Sequence, residues 1–535
     1  MASPDVDKQA VSQPESSHLE MATKPGLEGH TGEAIVREEL ALSISENAKR
    51  HWRALIISSV GFTAGIAFAY DTTANGASIS MPSFLLYFGD IGPTGPYLPS
   101  IWTSLWTAMS SLTQALGAIL VGFIADRYGR KWPSCAAAIL TLIGAAVQYI
   151  AVQRATLMGG KMITGLGIGA VMATATTYIS EVAPLKLRAP LQTGLVVFVI
   201  FSQGLALAMV RLFVPDIREQ AFRTVIAIQW GVGGLALLAW AAAPESPLWL
   251  VRKGKIEAAR KVMRKIYGPN QPDERLEYEI RAIQAEQEFE ANNKATYMAC
   301  FQGSNRKRSL TVAFLYSTAN IGGASFLAQN IYFLITAGLE AVHCFDVGIG
   351  GFGLAVLIIL TSGVYLKYVN RRNVVLIGLV LNLLVMVIIG ALYWADKKGG
   401  LWAIAVLMNI LISLQSSLLQ GAGWPIAAEI PSYSLRAKTL SIGICAQTFA
   451  TWIFNFITPY MYNVDSGNLG ARTGWIYAGT SVFLFVGGWL WIPNTTGMTT
   501  EEIDHAYESG VAPRNFRKQT LVASSRPDGS KRDSV

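Results

Sequence analysis

A carboxylate and an amine are the first candidates for chemistry, because each interrupts a long apolar run. Asp71 lies 18 residues after Arg53, and Lys161 lies 20 residues before Glu181. At about 1.5 Å per helical residue, both groups lie about 27–30 Å from the same face of a membrane. A lone charge at this depth is costly, so we expect the carboxylate and the ammonium to form a pair.

A buried pair of this kind has more than one possible role. The carboxylate can take up a proton, which neutralises it and releases the cation. Alternatively, the pair is static and fixes the packing of two helices. A third possibility is that Lys161 extends to the membrane interface and buries only its aliphatic stem.

The composition is that of a protein with many membrane spans. The chain has 535 residues, of which 52% are hydrophobic and only 15% are charged, whereas soluble domains carry about 25% charged residues. This excludes a soluble globular protein. The net charge of +8 suits loops that face anionic lipid, and we expect no nucleic-acid partner. The four cysteines lack metal-ligand spacing, so we expect neither a metal nor a cofactor.

Apolar runs long enough to cross about 30 Å of hydrocarbon occur throughout the chain. Twelve such runs begin near Ala54, Leu98, Trp132, Leu157, Pro190, Thr224, Thr311, Val347, Asn373, Leu401, Thr439 and Thr473. Basic loops alternate with loops poor in Lys and Arg, although the loop between runs five and six breaks this trend. The balance predicts that both termini are cytoplasmic. We therefore predict an all-α membrane protein with 12 transmembrane helices.

An internal repeat divides these runs into two halves. Glu181 and Arg188 follow the fourth run, and Glu429 and Arg436 follow the tenth, each pair seven residues apart with a proline between. Chance placement of two prolines at helix ends is the simpler alternative, but the shared offset favours a 6+6 repeat. The predicted organisation is a disordered tail (1–50), a six-helix bundle (51–243), a linker with amphipathic helices (244–308), a second bundle (309–493) and a C-terminal tail (494–535).

A short basic turn separates the second and third runs. Its sequence is Gly122-Phe-Ile-Ala-Asp126-Arg127-Tyr-Gly129-Arg130-Lys131. Taken alone, this stretch predicts a turn that fixes topology. It also resembles the loop 2–3 signature of the major facilitator superfamily, G-x-x-x-D-R-x-G-R-K. The resemblance implies two pseudo-symmetric six-helix bundles with intracellular helices.

Two further motifs are similar to those of the sugar porter branch of this superfamily. Pro244-Glu245-Ser246-Pro247-Leu248-Trp249-Leu250 resembles P-E-S-P-R-W/Y-L, with Leu248 in place of Arg. The stretch from Pro493 to Asp504 resembles P-E-T-K-G-x-T-L-E-E, with Asn494 in place of Glu. The resemblance covers about residues 54–505 and extends to fungal maltose and hexose permeases.

The resemblance implies an intracellular salt-bridge network that holds the two halves together in one state and breaks in the other. Lys367 stands where an acid is expected, which suggests a weaker latch in the second half. Several partly buried pairs can bias such a two-state motion, whereas one exposed pair cannot. The implied members are Asp126, Arg127, Arg130, Glu181, Arg188, Glu245, Arg371, Glu429 and Arg436.

The resemblance also implies a role for the buried pair. Proton-coupled members of the family have an Asp at the position of Asp71 and an Arg at the position of Lys161. Protonation of Asp71 would release the cation and permit the inward swing. Lysine in place of arginine is a departure, because the pKa of an ammonium falls more readily on burial.

The family binds its sugar with amides and an aromatic ring, and this chain keeps only part of that set. Gln203, Gln447 and Trp424 match family positions. Asn320 and Ser325 lie in a seventh run that departs from the family's Q-Q-x-x-G-x-N. We therefore expect a substrate other than a simple hexose in the usual pose.

The tenth run carries polar residues where the family has Phe and Gly. These residues are Gln415 and Gln420, and Gln420 would share a helix face with Trp424 four residues later. Gln329 and Asn330 stand where the seventh run of the family often has two tyrosines. Any one of these amides can instead serve only as a hydrogen-bonding group between helices.

Three functions fit these observations. The first is a proton symporter that imports a sugar or a glycoside. The second is an exporter of a fungal secondary metabolite, and the third is a nutrient receptor, which we rank last because only 31 residues follow Asp504. Without a nucleophile–base or metal constellation we expect no enzyme. The expected partners are a small sugar-like molecule, protons and the lipid bilayer, and we expect a monomer in the plasma membrane.

Overall fold

The structure, a computed structural model, describes residues 38–39, 41–92, 95–268, 272–292, 296–395, 397–432, 435–496, 498 and 500–516. Most of the predicted disordered tail lies outside these residues, as does the C-terminal tail after residue 516. Gly497 and Thr499 of the last motif also lie outside them.

Almost all of the described chain is helical. The first half contains α1 (Ile44–Arg50), α2 (Trp52–Ser58), α3 (Val60–Ser78), α4 (Pro82–Phe88), α5 (Ser100–Tyr128), α6 (Lys131–Tyr149), α7 (Arg154–Val182), α8 (Leu185–Phe213) and α9 (Glu219–Ala242). A short antiparallel hairpin, β1 (Asp90–Gly92) with β2 (Gly95–Tyr97), lies between α4 and α5 and was not expected from the sequence.

The linker and the second half continue in the same way. The linker contains α10 (Pro247–Arg252), α11 (Ile256–Tyr267) and α12 (Asp273–Asn292). The second half contains α13 (Gly303–Ile321), α14 (Ala324–Ala328), α15 (Asn330–Thr336), α16 (Ala341–Tyr368), α17 (Arg371–Ala391), α18 (Lys397–Leu414), α19 (Gly421–Glu429), α20 (Arg436–Tyr462), α21 (Thr473–Trp491) and α22 (Thr500–Glu508). Short 3₁₀ turns occur at Tyr297–Phe301, Leu392–Trp394, Gly470–Arg472 and Pro513–Asn515.

Ten helices of the described chain are long and apolar enough to cross a membrane. They correspond to ten of the predicted runs and omit those near Thr311 and Thr473. The run near Thr473 is a single helix, α21, whereas the run near Thr311 is divided among α13, α14 and α15. The protein is therefore a multi-pass helical membrane protein, and the count of twelve crossings stays a prediction.

Two spans depart from regular α-helix. The seventh is interrupted between α13 and α14, where Gly323 has a left-handed φ of +102°. A side chain there would collide with Met386 and Tyr477, so glycine alone fits this close approach. The tenth contains a π-helical turn, Gln415–Gln420, between α18 and α19. Turns of this kind often occur at functional sites.

The two halves use equivalent helix contacts. In the first half, α9 packs against α6 and α3. In the second half, α21 packs against α17 and α13. In the first half, α9, α6 and α3 are the sixth, third and first spans. In the second half, α21, α17 and α13 hold the equivalent positions. The repeat inferred from sequence is therefore a repeat of packing, as expected for two pseudo-symmetric bundles.

The chain divides into two compact units. The smaller takes its described residues from Met1–Ser58, Ser180–Pro190 and Pro244–Lys294. Within this unit, Ile256–Tyr267 is a helix with one buried face, formed by Ala259, Met263 and Ile266. The larger unit takes its described residues from Ser59–Ile179, Leu191–Ala243 and Ala295–Val535.

Candidate functional site

The larger unit places the two candidate charges deep inside the protein. Asp71 on α3 and Lys161 on α7 are each 2% exposed. The carboxylate of Asp71 acts electrostatically on the ammonium of Lys161. Both charges are therefore buried, a setting in which each depends on the other for its stability.

Glycines fix the position of the helix that carries Lys161. A Cβ added at Gly165 or Gly169 would overlap the backbone of α5, and one added at Gly167 would overlap the backbone of α6. Small residues let helices approach to backbone contact, which is common between membrane helices. The run of glycines in α7 thus holds Lys161 at a defined depth.

A cavity of about 290 Å³ lies between the two halves, lined by residues from both. This volume is near the lower end of the range of about 300–1,000 Å³ for small-molecule sites. Its polar lining consists of Thr72, Thr73, Ser80, Gln203, Gln329, Asn330, Tyr332, Asn409, Gln415, Ser416 and Gln420. Among the described residues that line it, none carries a formal charge. The site therefore suits a neutral polar molecule.

Two of the predicted substrate residues line this cavity, Gln203 and Gln420. Its lining does not include the other four, Asn320, Ser325, Trp424 and Gln447.

The structure shows the surroundings of two of the four residues that do not line the cavity. The indole of Trp424 stacks on the ring of Tyr316, with ring centroids 5.7 Å apart. Ser325 is 3% exposed and lies one residue into α14, immediately after the interruption of the seventh span. The roles predicted for all six residues stay predictions.

Several lining residues were not singled out from the sequence. Asn409 is an amide inside the apolar run of α18, a signal that could have identified it. Its Oδ1 accepts a hydrogen bond from Asn330 Nδ2 at 3.5 Å. Thr72 follows Asp71 directly and accepts a hydrogen bond from Gln203 Nε2 at 3.3 Å. The cavity wall thus includes the residue that follows Asp71 in the chain.

Two polar atoms of the lining have no hydrogen-bond partner among the described residues. They are Gln329 Nε2 and Ser80 Oγ, both buried. The other end of the Gln329 amide, Oε1, accepts from Tyr462 OH at 2.7 Å. Buried polar groups are normally satisfied, so these atoms are available to a ligand or to water.

A hydrogen-bonded cluster joins the two halves at the end where α5 begins. We call it the Ser100 clasp, and it consists of Leu98, Ser100, Tyr332, Asn463 and Asp465. Ser100 N donates to Asp465 Oδ2 at 2.8 Å, and the Ser100 hydroxyl also contacts this carboxylate. Asn463 Nδ2 donates to Leu98 O at 2.7 Å, and Leu98 N donates to Tyr332 OH at 3.1 Å. Because α5 has 29 residues, the clasp lies about 43 Å along that helix from its other end.

The opposite end of the larger unit carries part of the predicted salt-bridge network. Arg371 and Glu429 form an ion pair, and Thr495 Oγ1 donates to Glu429 Oε2 at 2.7 Å. Arg130 and Asp126 are 3.3 Å apart, with Asp126 mostly exposed. The structure therefore brings four of the predicted network members together as two ion pairs.

The basic turn itself is compact. Gly129 ends α5 with a φ of +97°, which favours glycine. Arg130 Nη1 donates to Ala125 O at 2.9 Å. The guanidinium of Arg127 lies 5.5 Å from the ring centroid of Tyr128. Arg436 is the first residue of α20.

The remaining predicted members lie in the smaller unit. Glu181 is near the end of α7, Arg188 Nε donates to Ala183 O at 3.1 Å, and Glu245 Oε1 accepts from Ser246 N at 2.9 Å. A single network that joins all nine residues stays a prediction.

The smaller unit contains a second charge cluster that the sequence had not indicated. Arg275 is 1% exposed and donates to Glu39 at 2.9 Å. His51 Nε2 lies 3.3 Å from Glu39 Oε1. Burial raises the pKa of the nearby Glu279 carboxyl, against the opposing effect of Arg275. This cluster links the start of the described chain to α12 within that unit.

Membrane-length helices in two equivalent halves, with a polar cavity between them, define a secondary transporter that works by alternating access. A family model described as "Sugar (and other) transporter" matches residues 57–507. The chain belongs to this sugar transporter family of the major facilitator superfamily.

Individual relatives agree with this assignment. The Aspergillus fumigatus protein named MFS transporter fmqE is 42% identical over 480 residues, which is 89% of this chain and 90% of that protein. A general alpha-glucoside permease of Saccharomyces cerevisiae is 25% identical over 487 residues, with 90% and 79% covered. The partially occluded inward-open xylose transporter XylE from E. coli has a TM-score of 0.67 at 20% identity, with 83% and 99% covered, and shows the fold.

Proposed function

We propose that the protein is a proton symporter that moves a neutral sugar or sugar-like molecule across the plasma membrane. The observation that carries the proposal is the buried Asp71–Lys161 pair, adjacent in sequence to the cavity wall at Thr72. The protein acts as a monomer with both termini in the cytoplasm.

Proton transfer follows from the electrostatics of this pair. A proton that enters from the outer side neutralises Asp71 and cancels its attraction for Lys161. Because α3 and α7 both belong to the first half, loss of the attraction between them lets this half change its packing and then rotate against the second. Release of the proton on the inner side restores the pair and resets the protein.

The substrate occupies the cavity between the halves. Gln203 from the first half and Gln420 from the second both line it. Asn320, Ser325, Trp424 and Gln447 complete the site when the halves move. The neutral lining supports a sugar-like cargo, as does similarity to a protein named for alpha-glucosides.

The ion pairs act as a latch at the cytoplasmic end. Arg371–Glu429 and Asp126–Arg130 are two of its ion pairs, and its other proposed members are Arg127, Glu181, Arg188, Glu245 and Arg436. The network favours the state open to the outside and breaks when the site opens inward.

Uptake of labelled mono- and disaccharides by transporter-null cells, with and without an uncoupler, tests the proposal. The wild-type protein should accumulate one of these sugars against its gradient, and the uncoupler should abolish accumulation. Asp71→Asn should retain sugar exchange but lose accumulation, with Asp216→Asn in an exposed loop as the control. Undiminished concentrative uptake by Asp71→Asn would reject proton coupling through this residue.

The alternative is an exporter of a secondary metabolite. The tenth span carries Gln415 and Gln420 where the family has Phe and Gly, and both line the cavity, which favours a cargo other than a simple hexose. The strong similarity to a relative named only as an MFS transporter is compatible with this. If no sugar is taken up and cells that express the protein instead lose a neutral metabolite to the medium, the exporter is the correct assignment.

A further inference from the structure

The interruption of the seventh span is held by side chains from three other spans. Asn382 Nδ2 donates to Gly322 O at 3.0 Å, and Gln415 Nε2 donates to the same oxygen at 3.3 Å. Thr480 Oγ1 donates to Ile321 O at 2.7 Å. These bonds satisfy carbonyls at the end of α13 that have no partner within their own helix.

We call the interruption at Gly322 and Gly323 the hinge. Gln415 forms hydrogen bonds at the hinge and also lines the cavity. Besides Gly322 O, its Nε2 donates to Asn382 Oδ1 at 2.7 Å. The side-chain amide of glutamine has two N–H groups, so both are used by the hinge. Gln415 also lines the cavity. A ligand acceptor near this residue therefore competes directly with the hinge for the same N–H groups.

Helices α14 and α15, which follow the hinge, and the residue between them contribute to both the cavity and the Ser100 clasp. It carries Gln329 and Asn330 into the cavity wall, and two residues later it carries Tyr332 into the Ser100 clasp. Gly323, with its left-handed backbone, is a natural pivot for this segment. Two short helices, α14 and α15, therefore connect the hinge to Tyr332 of the clasp.

We propose that Gln415 is a positioning residue that holds the Ser100 clasp shut while the cavity is empty. When a ligand acceptor takes its N–H groups, Gln415 leaves Gly322 and Asn382, the hinge loosens and Tyr332 separates from Leu98. The empty protein would reopen slowly at the clasp end and the loaded protein quickly. This inference rests on the proposed function only in that the cavity is the substrate site.

A cysteine reporter can test the hinge without any substrate. Ser80 is fully buried and lines the cavity, so Ser80→Cys should react with a membrane-impermeant maleimide only when the clasp is open. The exposed native cysteine, Cys445, is replaced by serine in all variants. The reagent is applied to intact cells, because in the proposed orientation the clasp lies at the end opposite the cytoplasmic latch.

Gln415→Leu should raise the labelling rate about tenfold, and Asn382→Leu should do the same. The double variant should label no faster than either single variant, because both residues belong to one lock. Gln415→Glu keeps the shape of the side chain but lacks the N–H donors, and it replaces Gln415→Leu if that variant does not fold. Ser416→Ala is the matched control, since its hydroxyl lines the same cavity but donates within its own helix to Ile412 O at 3.0 Å.

Tyr332→Phe opens the clasp directly and shows that the reporter responds. If Tyr332→Phe raises labelling and folded Gln415→Leu or Gln415→Glu does not, the coupling role is rejected. It is also rejected if Tyr332→Phe leaves labelling unchanged, because the clasp then does not control access. The uptake screen decides the substrate independently, so failure to find a transported sugar would not alter either result.

Discussion

Removal of the Asp465 carboxylate should shift the protein toward the state that is open at the Ser100 clasp. Asp465 accepts hydrogen bonds from both the backbone N–H and the hydroxyl of Ser100. Hydrogen bonds to a charged group contribute about 1.5–3 kcal/mol each. The Asp465 side chain is exposed, so solvent reduces each contribution to about 0.5–1 kcal/mol. Loss of both bonds then changes the open-to-closed ratio by about five- to thirtyfold.

The assay is the rate at which the Ser80→Cys reporter is alkylated in cells that express Asp465→Ala. The expected result is a rate increase within that range, with no loss of folded protein in size-exclusion profiles. Asp216→Ala is the control, since that aspartate bonds to Arg218 within a loop of the first half and has no part in the clasp. An alkylation rate for Asp465→Ala equal to that of its parent would refute the assignment of the clasp as a gate.

Other predictions concern stability. Lys161→Met should destabilise the protein by about 3–5 kcal/mol, because it leaves the Asp71 carboxylate buried without its cation, and addition of Asp71→Asn should restore most of the lost stability. Thermal unfolding in detergent measures the stability of both variants. An unchanged melting temperature for Lys161→Met alone would contradict the prediction. Gly169→Ala should cost about 1–3 kcal/mol, since its Cβ would overlap the backbone of α5. Gly159→Ala on the same helix, with nothing within 4 Å, should be tolerated, and equal thermal stability of the two alanine variants would count against the packing argument. Burial raises the pKa of the Glu279 carboxyl above its ordinary value of 4.5. The protonated carboxyl therefore favours the folded state, and this stabilisation is fully present below pH 4.5 and is lost as the pH rises through the folded pKa. Glu279→Gln should therefore slow hydrogen exchange in α12 at pH 7.5 more than at pH 5, and an equal effect at both pH values would argue against this origin.

The architecture could be predicted from the sequence because its signals are local. Long apolar runs, the basic turn that ends at Gly129 and the repeated Glu-to-Arg spacing each depend on residues close together in the chain. Helix rise alone predicted a similar membrane depth for Asp71 and Lys161, which stays a prediction, and the structure shows that both residues are buried. The roles of this pair and of the network stay predictions.

The details of the site depend on tertiary packing that no local pattern reveals. Gln420 and Trp424 are four residues apart and were expected to share a helix face, yet Gln420 lines the cavity while Trp424 stacks on Tyr316. The π-helical turn that ends at Gln420 changes the direction in which later side chains point, so a regular helical period does not apply across it. The hinge after Ile321 was likewise hidden within an apolar run, although the Gly322–Gly323 pair is a visible signal.

The neutrality of the cavity lining determines how the transporter should respond to electrical conditions. With no formal charge among the described lining residues, dissolved salt has nothing to screen there, and affinity for a neutral cargo should not depend on ionic strength. In the proposed symport mechanism, the membrane potential, worth about 2.3 kcal/mol per elementary charge at 100 mV, acts on the proton carried by Asp71 and not on a neutral cargo. Voltage would set how far the substrate accumulates, while leaving how tightly it binds unchanged.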